Sequence, residues 1–429
     1  MVFSAVISPR SREADRTRRT MSEGSKLSRY LTAAEAAALL GVSRSSLYAY
    51  VSRGRIHAES DPRKPRRSRY LTADVERLRD RKEARLHPEA AARKTLAWGI
   101  PVLESSLTLI GDGRFYYRGR DALALARHAQ FEDIVRLLWS SDGALELQDA
   151  PIPVPCREAL GRLHSLPTME RLQAILPIAA ADDGTAFDTR AASVAQTGWR
   201  ILNLLTAAAT LDTTCTSQPI AAQLASGWKM RTHAARRLID LALVLCADHE
   251  LNVSAFAVRV VASTRSSPYD VVGAGLAALR GPRHGGYTAR VERFLDESGT
   301  PDGVRRAMTD RLRCGKSVPG FGHPLYPEGD PRARALFSAV EKMSPASTAT
   351  AFLRASKRAG RALLGDYPTL DYGLVILRRA LGLPRGSALV LFALGRTAGW
   401  IAHAMEQYAL DQLIRPRAAY KGLSPIKKI

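Results

Sequence analysis

The stretch PGFGHPLYPEGDPRARAL, residues 319 to 336, decides the fold together with RHGG at 283 to 286 and DHELN at 248 to 252. Each of the three segments places one histidine in a polar setting, and two of them place it beside glycines. Glycine lets a backbone approach a ligand closely, and histidine donates or accepts a proton near neutral pH. A lone histidine is usually structural, but three such segments, followed by LDYG at 370 to 373 and GRTAGWIAHAMEQ at 395 to 407, indicate a functional site.

Around these segments, the spacing of apolar residues predicts helices. Apolar residues recur at three- and four-residue steps in FEDIVRLLW (131–139), WRILNLLTAAATL (199–211), ARRLIDLALVL (235–245) and VVGAGLAAL (271–279). The best strand candidate is FYYRG at 115 to 119. The pattern alone predicts an all-α domain of about 330 residues behind a separate N-terminal part.

Composition limits the compartment and the partners. No run reaches the roughly 18 apolar residues of a membrane helix, so we expect no membrane association. The four cysteines, Cys156, Cys215, Cys246 and Cys314, stand far apart, which predicts reduced thiols in the cytoplasm and no metal site. The net charge is +22, and residues 1 to 94 hold 22 Lys and Arg against 11 Asp and Glu. Anionic partners follow: nucleic acid at the front, and carboxylates or a phosphorylated cofactor behind.

Residues 30 to 59, YLTAAEAAALLGVSRSSLYAYVSRGRIHAE, predict two short helices joined by a tight turn. Thr32 and Glu35 form a capping-box pattern for the first helix, Gly41 marks the turn, and Ser43 caps the second helix. A basic, proline-broken piece follows, whose RSRYLT end predicts the strand of a wing. This part of the chain, about residues 28 to 86, resembles the small helix-turn-helix of the MerR and excisionase type.

The resemblance implies contact with DNA, and the competing hypothesis is a basic helical adaptor that never meets DNA. Arg44 is expected at a base edge, and the three wing arginines at phosphates. The expected DNA-binding residues are Ser43, Arg44, Ser45, Arg66, Arg67 and Arg69. Residues 1 to 27 are predicted to form a disordered basic tail. The first 20 residues could instead arise from an upstream start codon, with Met21 as the true first residue. Residues 87 to 99 are predicted to form a linker.

From about residue 97 to 422 the chain resembles citrate synthases. The three histidine segments stand in the order and spacing of that family, between SLTLIGDGRFYYRGRDALALA at 106 to 126 and RPRAAY at 415 to 420. The resemblance implies an all-α, citrate synthase-like two-domain helical fold, with a large domain at 100–287 and 385–429 and a small domain at 288–384. It also implies a homodimer that condenses oxaloacetate with acetyl-CoA to give citrate and CoA, with no metal and no permanently bound cofactor.

The chemistry of that reaction accounts for the residue types. A thioester methyl is a very weak carbon acid, so a carboxylate base needs a hydrogen-bond donor at the carbonyl oxygen where negative charge develops. By resemblance, Asp371 is the base, His284 donates to the thioester oxygen, and His323 polarises the ketone of oxaloacetate. Hydrolysis of the citryl thioester then releases CoA.

The resemblance also implies a set of binding residues. Arginine suits carboxylates because its planar guanidinium holds them bidentately. Substrate contacts fall on His249, Arg332, Arg396 and Arg415, the last reaching the partner subunit's site. The loop that cradles the CoA adenine falls on Ser317, Val318, Pro319, Gly320, Phe321 and Gly322.

Three departures from the family pattern leave the substrate and the role open. Pro324 replaces an arginine, HGGYT replaces HGGAN, and TLDYGLV replaces NVDFYSG around the base. Propionyl-CoA, giving 2-methylcitrate, is therefore a second possible donor, since one methylene changes binding by only about 1–3 kcal/mol. Two further hypotheses are a regulator that senses oxaloacetate, citrate or acyl-CoA, and an enzyme with a helix-turn-helix used only for assembly. The presence of Asp371 favours catalysis, because a sensor needs no base.

Overall fold

The computed structural model describes residues 30–61, 64–72, 74–76, 78–79, 102–140, 145–214, 217–418 and 420–423. The chain divides into two compact units, residues 1 to 104 and 105 to 429. The tail expected at 1 to 27, the linker expected at 87 to 99 and Cys215 lie outside the described residues.

The first unit is a helix-turn-helix with a small antiparallel sheet. The capping box predicted for the first helix is present, with the Thr32 side chain accepting from Glu35 N–H and the Glu35 carboxylate accepting from Thr32 N–H. Gly41 has φ 60° at the turn, a conformation that favours glycine. Ser43 caps the second helix by accepting from Ser46 N–H. The elements of this unit are β1 Tyr30–Thr32, α1 Ala33–Leu40, α2 Arg44–Ser52, β2 Ala58–Asp61 and β3 Lys64–Leu71.

The wing strand β3 lies between β1 and β2 and pairs antiparallel with both. Leu47 from α2, Ile56 and Tyr70 from β3 are buried together under the two helices. Because this small core uses both helices and the sheet, it fixes the orientation of α2 on the unit. The helix-turn-helix and the wing strand predicted from the sequence are confirmed.

The second unit is almost entirely helical. A three-stranded antiparallel sheet opens it, and its middle strand contains the predicted FYY segment. The strands are β4 Thr108–Gly111, β5 Arg114–Tyr117 and β6 Arg120–Asp121. The helices are α3 Ala122–His128, α4 Phe131–Trp139, α5 Val154–Arg162, α6 Thr168–Asp182, α7 Ala191–Thr210, α8 Ile220–Gly227, α9 His233–Cys246, α10 Val253–Ala262, α11 Pro268–Leu279, α12 Tyr287–Ser298, α13 Gly303–Arg313, α14 Pro331–Met343, α15 Thr348–Leu363, α16 Leu370–Leu381 and α17 Ser387–Leu410.

Helix α17 is the centre of this unit. It packs against α4, α7, α9, α10, α11 and α16, so its sequence is apolar on nearly every side. Its length and composition would also suit a membrane span, but 89% of the relevant window is buried inside the protein, as in a core helix. Gly275 on α11 gives it room, since a Cβ there would lie 2.6 Å from the Trp400 ring.

The all-α prediction is confirmed for this unit. The expected division into a large domain at 100–287 and 385–429 and a small domain at 288–384 stays a prediction. Among the described cysteines, Cys156 and Cys246 are buried free thiols, and Cys314 is exposed.

Candidate active site

The first histidine segment forms a tight turn between α9 and α10. Glu250 has φ 55°, a left-handed conformation that costs energy for a side chain other than glycine. Asn252 then caps α10 by accepting from Ser254 N–H and Ala255 N–H. The turn holds His249 in a buried position, where its Nε2 lies 2.9 Å from the hydroxyl oxygen of Tyr326.

The second segment places His284 in the turn before α12, with its ring against Ser254 of α10. Its Nε2 lies 2.9 Å from Ser254 Oγ. The same hydroxyl accepts from Trp400 Nε1–H at 3.2 Å and lies 2.7 Å from Asn252 Oδ1. The second glycine after His284 is required by packing, since a Cβ on Gly286 would lie 2.2 Å from the Arg280 carbonyl oxygen. Burial lowers the pKa of His284 to about 4, with Arg396 contributing in the same direction, so the ring is neutral near pH 7.

The third segment enters the site through two glycines in left-handed conformation, Gly320 with φ 84° and Gly322 with φ 75°. Their backbone pairs with the segment before α16: Thr369 N–H donates to Gly320 O at 2.9 Å, and Gly322 N–H donates to Tyr367 O at 3.0 Å. The predicted loop at 317 to 322 is therefore joined directly to the residues that precede Asp371.

His323 follows this loop, and its tautomer is determined by the backbone. Leu325 N–H donates to His323 Nδ1 at 3.2 Å, so Nδ1 carries no proton. In the neutral ring the proton then lies on Nε2, which becomes the donor. Burial, with Arg332 adding to it, lowers the pKa of His323 to about 4. The ring is a neutral donor above that pH.

Arg332 is held by one carboxylate at three of its nitrogens. Its Nε and Nη2 donate to Asp330 Oδ1 and Oδ2 at 3.0 and 2.9 Å, and its backbone N–H donates to Oδ1 at 3.0 Å. The same carboxylate accepts from Leu370 N–H at 3.1 Å. Burial would raise the pKa of Asp330, but Arg332 holds it below its ordinary value. Asp330 thus joins a buried guanidinium to the first turn of α16, where the predicted base stands.

Asp371 lies in that first turn, directly after Leu370. Its Oδ1 is buried and has no hydrogen-bond partner among the described residues. Burial raises its pKa to about 7; Arg332 lowers the pKa and Asp330 raises it further. A carboxylate with a pKa near 7 is a far better proton acceptor at neutral pH than an ordinary aspartate. The geometry suits a general base.

Arg396 comes from the middle of α17 and is fully buried. Its Nε donates to the Cys246 carbonyl oxygen at 2.7 Å, while its Nη2 has no partner among the described residues. The guanidinium carbon lies 5.0 Å from the centre of the Phe392 ring, and that ring lies 5.9 Å from the His284 ring. A buried cation with an unpaired donor can bind an anion.

These groups converge on one place. The His249 and His323 ring centres are 5.7 Å apart, and Tyr326 contacts both rings. Burial, followed by the fields of Arg332 and Arg396, holds the pKa of His249 well below its ordinary value. Two buried guanidiniums beside neutral histidines match a dicarboxylate ligand. No three His, Cys, Asp or Glu side chains in the described ranges lie together as metal ligands would.

The remaining predicted residues lie outside this cluster. Arg415 is exposed in the extended segment after α17, and its place in a partner subunit's site stays a prediction. Ser43, Arg44 and Ser45 are exposed on the helix-turn-helix unit, and Arg67 is exposed on the wing strand, whereas the side chain of Arg66 lies outside the described residues.

Arg69, predicted to meet a DNA phosphate, is paired within the wing. Its Nε donates to Glu59 Oε1 at 2.7 Å, and its guanidinium carbon lies 4.2 Å from the centre of the Tyr30 ring. Contact with a phosphate would have to compete with this pair, so the phosphate role stays a prediction.

Sequence reasoning missed Ser254 and Tyr326, which hold two of the histidines. It placed Asp330 at the site beside Arg332, but not the four hydrogen bonds that this carboxylate accepts. Tyr326 follows His323 by three residues, so its place in the same segment was a signal. Tyr48, 54% exposed on α2, is an aromatic on the face predicted to meet DNA.

Comparisons with known proteins agree with this geometry. The family model "Citrate synthase, C-terminal domain" matches residues 96 to 417, and "Helix-turn-helix domain" matches residues 30 to 83. Citrate synthase 2 of Bacillus subtilis is 35% identical over 184 residues, which are 42% of this chain and 50% of that protein. Putative citrate synthase 2 of Mycobacterium tuberculosis is 29% identical over 334 residues, 73% of this chain and 88% of that protein. The chain spans about half the length of the first curated relatives that it matches.

Solved structures give the same result. Citrate synthase from Thermotoga maritima has a TM-score of 0.64 and 28% identity, covering 77% of this chain and 96% of that one. The citrate synthase of Thermoplasma acidophilum, solved as a ternary complex with carboxymethyl coenzyme A and oxaloacetate, has the same TM-score, identity and coverage. Since the family model spans most of its length, the chain belongs to the citrate synthase family and carries a helix-turn-helix domain at its N-terminus.

Proposed function

We propose that this protein condenses oxaloacetate with acetyl-CoA to give citrate and CoA. One observation carries the proposal: Asp371 has a buried carboxylate oxygen without a partner among the described residues and a pKa raised to about 7, beside the Asp330–Arg332 pair. A binding protein gains nothing from such a group, because an unpartnered buried carboxylate destabilises the fold. The ternary complex of the Thermoplasma relative supports the choice of substrates.

The first step removes a proton from the methyl carbon next to the thioester carbonyl. Asp371 takes it, and His284 donates a hydrogen bond to the thioester oxygen as negative charge develops there. The single hydroxyl proton of Ser254 has two acceptors in reach, Asn252 Oδ1 and His284 Nε2. When Ser254 donates to Nε2, the imidazole proton lies on Nδ1, which is then the donor to the substrate. Ser254 is therefore a positioning residue.

The second step forms the carbon–carbon bond. The enolate carbon attacks the ketone carbon of oxaloacetate, and the ketone oxygen takes the proton of His323 Nε2–H. Solvent returns a proton to His323 and removes the one that Asp371 took, so the two groups are restored. Arg332 and Arg396 hold the two carboxylates, with His249 as a further donor or acceptor. Water then adds to the citryl thioester, the carbon–sulfur bond breaks, and CoA leaves as the thiol.

The test is CoA release by the full-length protein with oxaloacetate, using acetyl-CoA in one arm and propionyl-CoA in the other. We expect release that requires oxaloacetate, with the faster arm identifying the donor. A third arm with EDTA tests the expected metal independence. Folded protein that releases no CoA from either donor would contradict the proposal and favour a sensor.

A second function, DNA binding, is favoured by the exposed face of α2. Arg44, Ser45 and Tyr48 lie close together along the first half of the helix and are all exposed. A recognition helix contacts base edges with residues near its N-terminus, and a tyrosine adds a hydrogen-bond donor and an apolar ring. A dimer of the citrate synthase type would present two such helices to a palindromic site.

DNA retention from a random-sequence pool at about 50 mM salt tests this function. We expect deletion of residues 1 to 86 to abolish retention and to spare CoA release. Arg44→Ala should weaken sequence preference, whereas Arg231→Ala, in the second unit, is the matched control and should not. Absence of retention by the full-length protein would leave the domain as an assembly element.

A further inference from the structure

The loop at 317 to 322, expected to hold the CoA adenine, carries no charged side chain, and Pro324 follows the histidine beside it. CoA carries a diphosphate and a 3′-phosphate close to its adenosine, and cations are the natural partners of these groups. We propose that Arg361, on α15, binds the phosphate groups of the acyl-CoA at the edge of this loop. The inference rests on the proposed function for the site, which it extends by one binding residue.

Helix α15 contacts the loop directly, one residue before Arg361. A Cβ on Gly360 would lie 2.3 Å from Phe321 Cε1, so only glycine allows this approach. Phe321 itself forms an isolated antiparallel bridge with Pro368. Because Gly360 packs against Phe321, near the end of the loop, the next residue, Arg361, lies close to that end.

The head group of Arg361 is held in place by an aromatic ring. Its guanidinium carbon lies 5.1 Å from the centre of the Tyr367 ring, and Tyr367 O accepts from Gly322 N–H at 3.0 Å. The Arg361 side chain is exposed. A guanidinium stacked on a ring keeps its edge donors available, and their planar arrangement matches two phosphate oxygens. Stacking also reduces the entropy lost when a phosphate binds.

A nearby carboxylate increases the need for a cation where the CoA phosphates would bind. Asp366 lies beside the loop, with its Oδ2 3.0 Å from the position of a Cβ on Gly322. Its charge repels phosphate, so Arg361 must outweigh it for CoA to bind here. Lys316, exposed at the start of the loop, adds positive charge at the other end. The competing explanation is that Arg361 only compensates the carbonyl charge of the last turn of α15.

Calorimetry of CoA binding with oxaloacetate present separates the two explanations. We expect Arg361→Gln to weaken CoA binding by about tenfold, the loss typical of a hydrogen bond between charged groups. Arg361→Lys should recover part of it. Arg354→Gln, which removes the same charge from α15 roughly 10 Å away along the helix axis, should change the affinity less than about twofold. An unchanged affinity in Arg361→Gln would overturn the proposal.

Truncated donors identify the group that Arg361 binds. Acetyl-pantetheine lacks all of the phosphates, so its KM should be the same in Arg361→Gln and in the wild type. Dephospho-acetyl-CoA lacks only the 3′-phosphate. If Arg361→Gln still raises the KM for this donor, Arg361 binds the diphosphate. If the KM values of variant and wild type become equal, Arg361 binds the 3′-phosphate. An equal increase in KM for acetyl-pantetheine would overturn the proposal. Because CoA binding needs no turnover, the calorimetric result stands or falls separately from the condensation reaction.

Discussion

Asp371→Asn should make the protein more stable at pH 8 while removing its activity. Burial raises the pKa of Asp371 from an ordinary value of 3.8 to about 7, which means that the fold disfavours the ionised form. The folded state keeps this proton between about pH 4 and pH 7, where the unfolded chain has lost it. Stability therefore falls as pH rises through this window, and above pH 7 the ionised carboxylate carries its full cost.

The size of the effect follows from the shift. About three pKa units at roughly 1.4 kcal/mol each give an upper limit of about 4 kcal/mol, which relaxation around the site reduces to about 2–4 kcal/mol. Asparagine keeps the shape and cannot ionise, so the variant recovers this free energy at pH 8 and almost none of it at pH 4. Loss of the general base should lower the condensation rate by ~10²–10⁴-fold in the same variant.

Denaturant or thermal unfolding of the second unit at pH 5, 6, 7 and 8 measures the difference. The gap between variant and wild type should widen as pH rises to about 7 and then level off. Asp310→Asn, at an exposed site on α13, is the matched control and should give a difference that does not change with pH. A variant less stable than wild type at pH 8, or equally stabilised at pH 5 and pH 8, would refute the assignment of Asp371.

Three further outcomes are expected. In Ser254→Ala, His284 Nε2 loses its hydroxyl partner, so kcat should fall by about tenfold with little change in oxaloacetate affinity; an unchanged kcat would show that Ser254 does not position the ring. In Asp330→Asn, Arg332 loses its bidentate partner, so oxaloacetate binding should weaken by more than about tenfold. The same change removes a negative charge beside Asp371, so the rise of kcat/KM with pH should move to a lower pH. A move to a higher pH would contradict this. In the wild type, kcat/KM for acetyl-CoA should rise with pH through about 7, since Asp371 must lose its proton first; a rise near pH 4 would point to an ordinary carboxylate.

The residue types of the site could be predicted from the sequence because glycine and histidine occur together there. A histidine next to GG or between GFG and P has few structural explanations, and DPR places a carboxylate and a guanidinium two residues apart. The helices of both units could also be predicted from the sequence. Thr32 and Ser43 mark the starts of the two N-terminal helices, and the spacing of apolar residues marks the helices of the second unit.

The partners of these residues could not be predicted, because they depend on packing between distant segments. Ser254 meets His284, 30 residues away in sequence, because α10 packs against α11, which ends just before the histidine segment. Asp330 reaches Leu370 N–H across 40 residues. The pairing of Arg69 with Glu59 follows from strand register, which a basic sequence does not reveal. The number of arginines and lysines predicts a basic wing, but it does not show that Arg69 is already paired with a carboxylate.

Asp371 is expected to generate a carbon nucleophile that joins the acyl group to a keto acid, and every other role in the site depends on this step. Acetyl-CoA labelled with ¹³C at the methyl carbon, incubated with oxaloacetate and the full-length protein, tests it directly by NMR. We predict that the label appears in a methylene of citrate as CoA is released, and that Asp371→Asn abolishes the signal. Label recovered only as acetate, or citrate formed equally well by Asp371→Asn, would contradict this role of Asp371.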